Sequence, residues 1–379
     1  MKKFSKLNIT VVFAVVSVLL MLPVVHKKPR RDRNNFVKSP VTVSASHLKP
    51  MDFDALPQWS EADVVKSLEA FQNSCDVWEK MNPNTSVGSR MVSLKVKDWL
   101  PICKVAKDLP EPTEEEAKGF FEDYFQPYHW RNTHSGKFTG YYSPVFKGSL
   151  TRTSTYKTPL YETPKHGIKA YSRAEIYRGA LAGKAKVIAW LKNPIDAMAL
   201  EIEGSGVIDL GDGKKCFVGY DNENGHRYKS IAQMVIDSRI LSRAKASTEN
   251  IRQYFSKHPE RIQSFVARNP SYVYFSKFGD SDFSGAQLSV LTPKYSMAVD
   301  RRYIPMGLPL LLNTKRPVNT SGDLKPMSRI MIAQDTGGAI KGPIRGDIYW
   351  GAGEKATKIA SLMSEPGDYW LLLPRHVTA

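Results

Sequence analysis

Three aspartates near the C-terminus have the residue type and the surroundings for acid–base chemistry: Asp300, Asp335 and Asp347. We predict each of them at a strand end or in a turn, because apolar runs precede them and glycines follow, where the backbone must turn sharply or approach a partner closely. A carboxyl group held in a cleft can give a proton to a reacting bond and take one back. The sequence therefore predicts that the three carboxylates converge on one cleft.

Two alternative roles for these aspartates stay open. Asp is a common turn former whose carboxylate accepts hydrogen bonds from nearby backbone amides, so each of the three could be structural. A metal site is less favoured, because loops that bind hard cations usually carry their acids at close alternate positions. We therefore predict no metal ion and no cofactor at the three aspartates.

Glycines flanked by hydroxyl and aromatic side chains indicate a groove for a bulky polar ligand, since they let backbone and rings approach it closely. The candidate groove residues are Thr139, Tyr141, Tyr142, Gly204, Ser205, Gly337 and Gly338. Four rings could stack on sugar faces or could pack in a core instead. These are Tyr141, Tyr142, Tyr349 and Trp350.

A further carboxylate lies next to the glycine segment at 204–206. Residues 200–210 are predicted to form a strand, a turn and a second strand, and the alternation of side chains along a strand puts Glu201 and Glu203 on one face. Glu203 then has two interpretations. It is either the second carboxylate of a hydrolase or part of a solvated strand face, and the pattern favours the solvated face.

The chain is basic, but much of its excess charge lies at one end. It carries +17 over 379 residues, and its first fifty residues hold ten Lys or Arg against one acid, so the rest carries +8. No nucleic-acid-binding motif accompanies this charge. The charge therefore requires no nucleic acid, and it fits an anionic polymer or a membrane surface.

The N-terminus has the features of an export signal. Basic residues precede a mainly apolar stretch at 7–25, and a basic patch follows at 26–33. The stretch has the length of a short membrane span, and no cleavage site of small residues follows directly, so a signal peptide and a signal anchor both stay open for residues 1–25. Residues 26–55 are predicted to form a basic linker, and the folded part to begin near residue 56.

Helices and strands are both indicated in the rest of the chain. Helix starts are predicted at two capping boxes, formed by Thr113 with Glu116 and by Ser172 with Glu175. One further helical pattern begins after Ser60. Others cover 230–246, 248–268 with a break at Pro259, and 354–363. Alternating β-branched and aromatic residues from Phe138 onwards predict strands. The pattern predicts a mainly β fold with helices.

The three cysteines carry no metal-ligand spacing, so a zinc site is not predicted. Cys75 and Cys103 lie in one N-terminal segment and could pair in an oxidising compartment. All three, including Cys216, could equally be buried as small hydrophobic residues. The sequence leaves both states open.

The motifs from residue 138 onwards, taken together and in order, resemble those of the membrane-bound lytic murein transglycosylase A family, whose C-terminal domain is named after three aspartates. The matching segments lie at 138–142, 193–196, 203–206, 211–213, 224–226, 269–271 and 296–300, followed by the segments around Asp335 and Asp347. Each segment alone is a weak signal, whereas the ordered set is specific.

This resemblance implies an α+β fold with a double-psi β-barrel domain, built from residues 56–142 and 282–379 with N-terminal helices. A second β-rich domain at 143–281 would be inserted into it, with a glycan groove between the two. In the family, the residue that matches Asp347 is the catalytic acid/base, and those that match Asp335 and Asp300 support the site. The implied glycan-binding residues are Thr139, Tyr141, Tyr142, Glu203, Gly204, Ser205, Gly337 and Gly338.

The implied reaction cleaves the β-1,4 bond between N-acetylmuramic acid and N-acetylglucosamine of peptidoglycan and leaves a 1,6-anhydromuramic acid end. One carboxyl group suffices, because the muramic acid C6 hydroxyl is an intramolecular nucleophile. Two alternatives are a hydrolytic muramidase that uses Asp347 with Glu203, and a non-catalytic peptidoglycan-binding wall protein.

The implied location is the periplasm. Many members of the family carry a lipid-anchored cysteine directly after the signal, and residues 20–25 contain none. We therefore expect an inner-membrane anchor through the N-terminal segment, or a free form after signal cleavage. Peptidoglycan glycan strands are the expected partner, other cell-wall enzymes stay open as partners, and no nucleic acid is expected.

Overall fold

The computed structural model describes residues 41–43, 47–131, 135–167, 171–246, 248–277, 283–375 and 377–378. The predicted signal segment at 1–25 lies outside these residues. Within the described ranges, every helix is too short or too polar to cross a membrane.

Nine helices and seventeen strands make up this part of the chain. The helices are α1 (Val65–Trp78), α2 (Val96–Lys107), α3 (Glu114–Tyr124), α4 (Arg173–Tyr177), α5 (Pro194–Glu203), α6 (Ile231–Asp237), α7 (Thr248–Lys257), α8 (Ile262–Val266) and α9 (Glu354–Leu362). The strands are β1 (Val41–Val43), β2 (Leu48–Pro50), β3 (Val92–Ser93), β4 (Phe125–Trp130), β5 (Gly136–Ser143), β6 (Val145–Ser149), β7 (Thr158–Tyr161), β8 (Val187–Leu191), β9 (Ser205–Gly211), β10 (Lys214–Glu223), β11 (Val273–Lys277), β12 (Ser296–Val299), β13 (Pro309–Pro317), β14 (Leu324–Asp335), β15 (Arg345–Ala352), β16 (Ser364–Pro374) and β17 (Val377–Thr378). Short 3-10 helices lie at Phe53–Ala55, Trp59–Glu61, Arg243–Lys245 and Pro259–Arg261.

Six strands close into a barrel in the order β13, β14, β12, β15, β5, β16. The ring closes because β16 pairs with both β5 and β13. Strands β4 and β2 extend this sheet from β16. A small separate sheet joins β17, β1 and β3.

A second sheet of six strands, in the order β11, β10, β9, β6, β8, β7, is built from the chain between β5 and β12. The chain leaves the barrel at Ser143 and enters the second sheet at Val145. Helices α4 to α8 lie in the same stretch of sequence. The division of the chain into two domains at these points stays a prediction.

Alternation along the barrel strands decides which side chains face the core. Phe138, Met297 and Ile348 are buried in the barrel core. Gly346 lies among them, where a Cβ atom would come 2.4 Å from the Met297 sulfur and 2.9 Å from the Phe138 ring. Neighbours in sequence, such as Asp347, therefore project from the opposite face of the sheet.

The prediction of a strand before Gly204 was wrong, because residues 194–203 form helix α5. Asn193 caps this helix by accepting hydrogen bonds from the amides of Ile195 and Asp196, both at 3.0 Å. Pro194 occupies the first turn, and Gly204 ends the helix with φ of +78°. These are ordinary start and stop signals of a helix, and the strand prediction overlooked them. Glu201 and Glu203, two positions apart on a helix, do not share a face.

The predicted linker at 26–55 was too long. Residues 48–50 form β2, which pairs with β4, and Leu48 is buried. Residues 41–43 form β1 and pair with β3 and β17. The folded body therefore begins before residue 56.

Both predicted capping boxes are confirmed. Thr113 and Glu116 exchange hydrogen bonds at the start of α3, and Ser172 and Glu175 do so at the start of α4. The helical pattern after Ser60 becomes a helix only at Val65. The helix predicted over 230–246 is shorter, since α6 ends at Asp237, whereas the break predicted at Pro259 separates α7 from α8.

Cys75 on α1 and Cys103 on α2 form a disulfide, and Cys216 is buried and takes no part in this bond. The bond closes a sequence separation of 28 residues. Restricting an unfolded chain over a loop of that length contributes about 3 to 4 kcal/mol to the free energy of unfolding.

We therefore predict that the double variant Cys75→Ala with Cys103→Ala loses about 3 to 4 kcal/mol of unfolding free energy, measured by urea titration. A reductant should destabilise the wild type and a Cys216→Ala variant by similar amounts. A change of less than about 1 kcal/mol in the double variant would contradict the prediction.

Candidate active site

A row of paired residues crosses the outer face of the barrel. Ala298 of β12 is the Cα partner of Asp335 on one side and of Asp347 on the other, and Asp347 in turn pairs with Thr139 of β5. Partners in such a row project from the same face of a sheet. Because neighbouring strands lie about 4.8 Å apart, the two aspartates stand roughly 10 Å apart at their Cα atoms, with only the small side chain of Ala298 between them.

Asp335 reaches this face because of a β-bulge. The register between β12 and β14 shifts between Met297 and Ala298, so that Gln334 is an extra residue. Without it, alternation would turn Asp335 to the opposite face. Gln334 is fully buried and donates hydrogen bonds to the Ala70 carbonyl at 2.7 Å and to Ser74 Oγ at 2.9 Å on α1, which holds the bulge in place.

Asp347 is a half-buried carboxyl group with one close hydrogen-bond donor. Thr139 Oγ1 donates to Asp347 Oδ1 at 2.6 Å, and Arg345 Nη2 donates to Thr139 Oγ1 at 2.8 Å. Burial raises the pKa of Asp347, and the negative charge of Asp335 acts in the same direction, while Thr139 and Arg345 oppose the shift. Asp347 lies inside β15, two residues after its start, and not at a strand end as predicted.

Asp335 is held by three donors. Tyr141 OH donates to Oδ2 at 2.7 Å, and the amides of Ala286 and Thr336 donate to Oδ1 at 3.0 and 2.8 Å. Burial raises the pKa of Asp335, and these hydrogen bonds act against the rise. Its position is therefore fixed beside Asp347, with a proton affinity above that of an ordinary Asp.

Asp300 is bound by groups other than those that hold Asp335 and Asp347. It is almost fully buried, it forms an ion pair with Arg302 at 2.5 Å, and it accepts a hydrogen bond from the Gly342 amide at 2.9 Å. The hydrogen bonds from Arg302 hold the pKa of Asp300 well below its usual range. The structure thus brings Asp335 and Asp347 together, while Asp300 ties the segment after β12 to Gly342.

Glu203, on helix α5, is a further carboxyl group with a raised pKa. It is the last residue of α5, and its carboxyl group is hydrogen-bonded by Tyr142. Burial, and then the negative charge of Asp347, raise the pKa of Glu203 to about 7. Burial thus raises the pKa of two aspartates of the barrel and of one glutamate on α5.

The barrel and the second sheet meet in a buried seam beside this site. The seam cluster consists of Val207, Phe217, Phe283, Leu291 and Tyr349, with Tyr141 packed against it. The rings of Tyr141 and Tyr349 lie 5.3 Å apart. Tyr349 and Trp350 are buried, which fits core packing, the second of the two roles left open for these rings. Tyr141 is half-buried and donates its hydroxyl hydrogen bond to Asp335, and its contact with glycan stays a prediction.

The other predicted groove residues have distinct positions. Ser205 lies at the seam, with its Oγ 3.4 Å from Ser143 Oγ, and Ser143 lies 3.2 Å from Tyr349 OH. A Cβ on Gly337 would lie 2.7 Å from Ile340, so that glycine is needed for packing. A Cβ on Gly338 would meet open space, so packing does not require a glycine there.

Arg345 is a site residue that the sequence reasoning missed. It stands two positions before Asp347 on β15, and it donates to Thr139, the residue that holds Asp347. The period of two along a strand would have placed Arg345 on the face of Asp347. Within the described ranges, no group of three or more His, Cys, Asp or Glu side chains is placed to hold a metal ion.

Comparisons with known proteins identify two matching family models. Residues 137–276 match the MltA specific insert domain, and residues 295–373 match the 3D domain. The membrane-bound lytic murein transglycosylase A of Escherichia coli (strain K12) is 36% identical over 243 residues, which cover 62% of this chain and 65% of the relative. The chain thus matches just under two thirds of the length of this curated relative.

Solved structures match over most of their length. MltA from Neisseria gonorrhoeae superposes with a TM-score of 0.77 at 26% identity, covering 90% of this chain and 95% of that one. The lytic transglycosylase LtgG of Burkholderia pseudomallei gives 0.62 at 32% identity, covering 89% and 98%. E. coli MltA with bound chitohexaose gives 0.65 at 26% identity, covering 92% and 98%. The predicted fold class, a mainly β double-psi barrel with a second β-rich part and helices, is confirmed.

Proposed function

The chain belongs to the MltA family of lytic murein transglycosylases, and from that premise we propose that it cleaves the glycan strands of peptidoglycan without water. The bond cut is the β-1,4 bond between N-acetylmuramic acid and N-acetylglucosamine. The product carries a 1,6-anhydromuramic acid end. The observation that carries the proposal is a protonatable carboxyl group, Asp347, held by Thr139 on the face where the barrel meets the second sheet.

Asp347 is proposed as the acid and the base. The protonated carboxyl group donates to the glycosidic oxygen as the C1–O bond breaks and positive charge develops at the anomeric carbon. The resulting carboxylate takes the proton of the muramic acid C6 hydroxyl while that oxygen bonds to C1. The carboxyl group ends as it began, and no water is consumed. Because the nucleophile belongs to the sugar itself, orientation in the groove supplies much of the rate.

The neighbours of Asp347 fit this role. Burial raises its pKa, which keeps the acid protonated at higher pH than an exposed Asp. The hydrogen bond from Thr139 fixes one carboxyl oxygen, and so directs the other towards the ligand side. Asp335, Tyr142, Ser205, Gly204 and Gly338 are the residues we propose to support the site or to contact glycan, with Asp300 in a purely structural role.

A hydrolytic muramidase is the second candidate function, and the position of Glu203 favours it. A carboxyl group close to Asp347 could activate a water molecule, which would leave a reducing end in place of an anhydro end. The two functions therefore differ in one water per cleaved bond. A non-catalytic wall-binding protein would leave the glycan intact.

We further propose that the protein acts in the periplasm, where peptidoglycan lies. The N-terminal segment at 7–25 would serve as export signal, and either remain as an inner-membrane anchor or be removed. Fractionation of cells that express the full chain tests this, since an anchored protein stays with inner membranes after a high-salt wash.

The test of the proposed function is mass spectrometry of muropeptides released from purified peptidoglycan sacculi by the full chain. Products one water lighter than reducing muropeptides support the transglycosylase. Reducing muropeptides support the muramidase, and binding without release supports the wall-binding protein.

The variant Asp335→Asn tests what raises the pKa of Asp347. Burial is the larger cause of the raised pKa of Asp347, and removing the negative charge of Asp335 should lower that pKa, so the alkaline limb of the pH–rate profile should move to lower pH. The variant Asp54→Asn, at an exposed position in the 3-10 helix Phe53–Ala55, should leave the limb in place. An unmoved limb in Asp335→Asn would exclude Asp335 as a cause.

A further inference from the structure

We propose that Arg345 is a positioning residue for the acid. Through the hydroxyl of Thr139 it fixes which oxygen of Asp347 carries the proton, while that hydroxyl stands between the cation and the carboxyl group. The proposal rests on the proposed function and deepens it, since it assigns the acidic proton to one oxygen. Arg345 does not touch the reacting bond in this role.

The guanidinium of Arg345 is held by the backbone of two neighbouring strands. Its Nη1 donates to the Lys137 carbonyl of β5 at 3.1 Å and to the Gly346 carbonyl of β15. Its Nη2 donates to Thr139 Oγ1 at 2.8 Å. A guanidinium suits this arrangement, because it presents several donors in a rigid, planar geometry. Arg345 therefore makes its bond to Thr139 from a fixed position.

The bond from Arg345 sets the direction of the Thr139 hydroxyl. A guanidinium can only donate, so Thr139 Oγ1 must accept from it, and the one hydroxyl proton is left for another partner. That partner is Asp347 Oδ1, which lies 2.6 Å away. The positive charge also makes the hydroxyl a stronger donor and a weaker acceptor, because hydrogen bonds in a chain polarise one another. Thr139 therefore donates to Oδ1 whether Asp347 is ionised or protonated.

The oxygen of Asp347 that accepts from Thr139 is the poorer place for the acidic proton. A protonated carboxyl group carries its proton on one oxygen only, and with Oδ1 as the acceptor that oxygen is Oδ2. No residue of the described ranges makes a hydrogen bond to Oδ2. In the reaction Oδ2 gives its proton to the glycosidic oxygen as the C1–O bond breaks. It then takes the proton of the C6 hydroxyl as that oxygen bonds to C1, and the Thr139 hydroxyl keeps its direction throughout.

Asp300 shows what direct contact with a cation does to an acid. Its ion pair with Arg302 at 2.5 Å holds its pKa well below the usual range. The ion pairs within the described ranges do not include Arg345 with Asp347, because Thr139 stands between them. Burial raises the pKa of Asp347, and the opposing effects of Thr139 and Arg345 are smaller. The inserted hydroxyl thus aligns the acid without depriving it of its proton.

The other titratable groups near Asp347 come from three elements. Asp335 on β14 acts on Asp347 by its negative charge, and Asp347 in turn acts on Tyr141 of β5 and on Glu203 of α5. Asp335 raises the pKa of Asp347, whereas Arg345 lowers it. Loss of the Asp335 charge and loss of Arg345 should therefore move the pH–rate profile in opposite directions.

The variant Arg345→Met removes the charge and the donors and nearly keeps the length of the side chain. The acid loses its alignment, so kcat at pH 5 should fall about 10- to 100-fold. Since Arg345 lowers the pKa of Asp347, its loss should raise that pKa, and the alkaline limb of kcat/KM should move to higher pH. A fall in kcat with an unmoved limb would show a merely structural role and overturn the proposal.

Matched variants make this test specific. Arg345→Lys keeps the charge and one donor group, so it should recover part of the lost kcat and hold the limb near its wild-type position. Arg268→Met, at an exposed position, should change neither quantity. Thr139→Val removes the hydroxyl with little change of shape and should lower kcat by itself. Adding Arg345→Met to it should lower kcat no further, because Arg345 acts through Thr139. Additive losses in the double variant would refute that route.

Infrared difference spectroscopy of the full chain, with carbon-13 in the aspartate carboxyl groups, tests the hydrogen bond without any substrate. The C=O stretch of protonated Asp347 is identified by its absence in Asp347→Asn, and its frequency is lowered when the carbonyl oxygen accepts a hydrogen bond. With the proton on Oδ2, that carbonyl oxygen is Oδ1, so the frequency should rise in Thr139→Val and, by a smaller amount, in Arg345→Met. An unmoved band in Thr139→Val would place the proton on Oδ1 and contradict the proposal.

The spectra also separate the two proposals. A raised frequency in both variants of a protein that releases no anhydromuropeptides would leave the positioning role standing and refute the proposed function. Anhydromuropeptides from a protein whose band does not move in either variant would refute the positioning role alone.

Discussion

The variant Asp347→Asn is expected to release anhydromuropeptides from sacculi at least about 1,000-fold more slowly than the wild type. An amide cannot donate the carboxyl proton to the glycosidic oxygen or take the proton of the C6 hydroxyl, and acid–base catalysis of this kind contributes factors of about 100 to 10,000. The substitution keeps the shape of the side chain, and Thr139 can still donate to the amide oxygen. The measurement is the initial rate of soluble product release, followed by mass spectrometry.

Two controls make this result specific. Asp54→Asn, at an exposed position in the 3-10 helix Phe53–Ala55, should retain the wild-type rate. The melting temperature of Asp347→Asn should stay close to that of the wild type at pH 5, which excludes unfolding as the cause of the loss. A rate within tenfold of the wild type would remove Asp347 from the role of acid.

The largest loss of stability is expected from Arg173→Ala. The guanidinium is fully buried, and the side chain of its partner Glu201 is only 7% exposed. Removing one member of a buried pair leaves an uncompensated charge and costs about 3 to 5 kcal/mol. Carbonyl groups that accept hydrogen bonds from Arg173, such as that of Asn269, also lose their donor. Chemical denaturation gives the free energy of unfolding directly.

A double variant identifies the source of that loss. Arg173→Ala combined with Glu201→Ala removes both charges and should be more stable than Arg173→Ala alone. Arg268→Ala, which breaks an exposed hydrogen bond to Ser238, should cost less than about 1 kcal/mol. If Arg173→Ala cost no more than Arg268→Ala, the buried pair would not be the anchor of α5.

Sequence reasoning was strongest where a local pattern carries its own physical cause. The capping boxes at Thr113 and Ser172 lie where predicted, because a hydroxyl and a carboxylate three residues apart satisfy the free amides of a helix start. The ordered motifs from residue 138 onwards gave the family, and with it the barrel. The strand pattern from Phe138 falls within β5, although four strands, β1 to β4, already precede it.

Sequence reasoning failed mainly where the position of a side chain depends on tertiary contacts. The bulge at Gln334 is held by atoms of α1, more than 250 residues away in sequence, and only that bulge turns Asp335 towards Asp347. Glu203 was placed on a strand, although the capping signals of Asn193 and Gly204 were present. Its burial depends on the packing of α5 in the folded protein, which no local pattern specifies. The same holds for Tyr349, whose burial depends on the second sheet.

Digestion of sacculi in water enriched in oxygen-18 tests the central claim most directly, because it asks whether water enters the cleaved bond. We predict that the full chain releases muropeptides that are one water lighter than reducing products and that carry no oxygen-18, and that Asp347→Asn releases neither. A muramidase digested in parallel should give labelled reducing ends. Labelled ends from the wild-type chain would contradict non-hydrolytic cleavage and would assign the protein to the hydrolases.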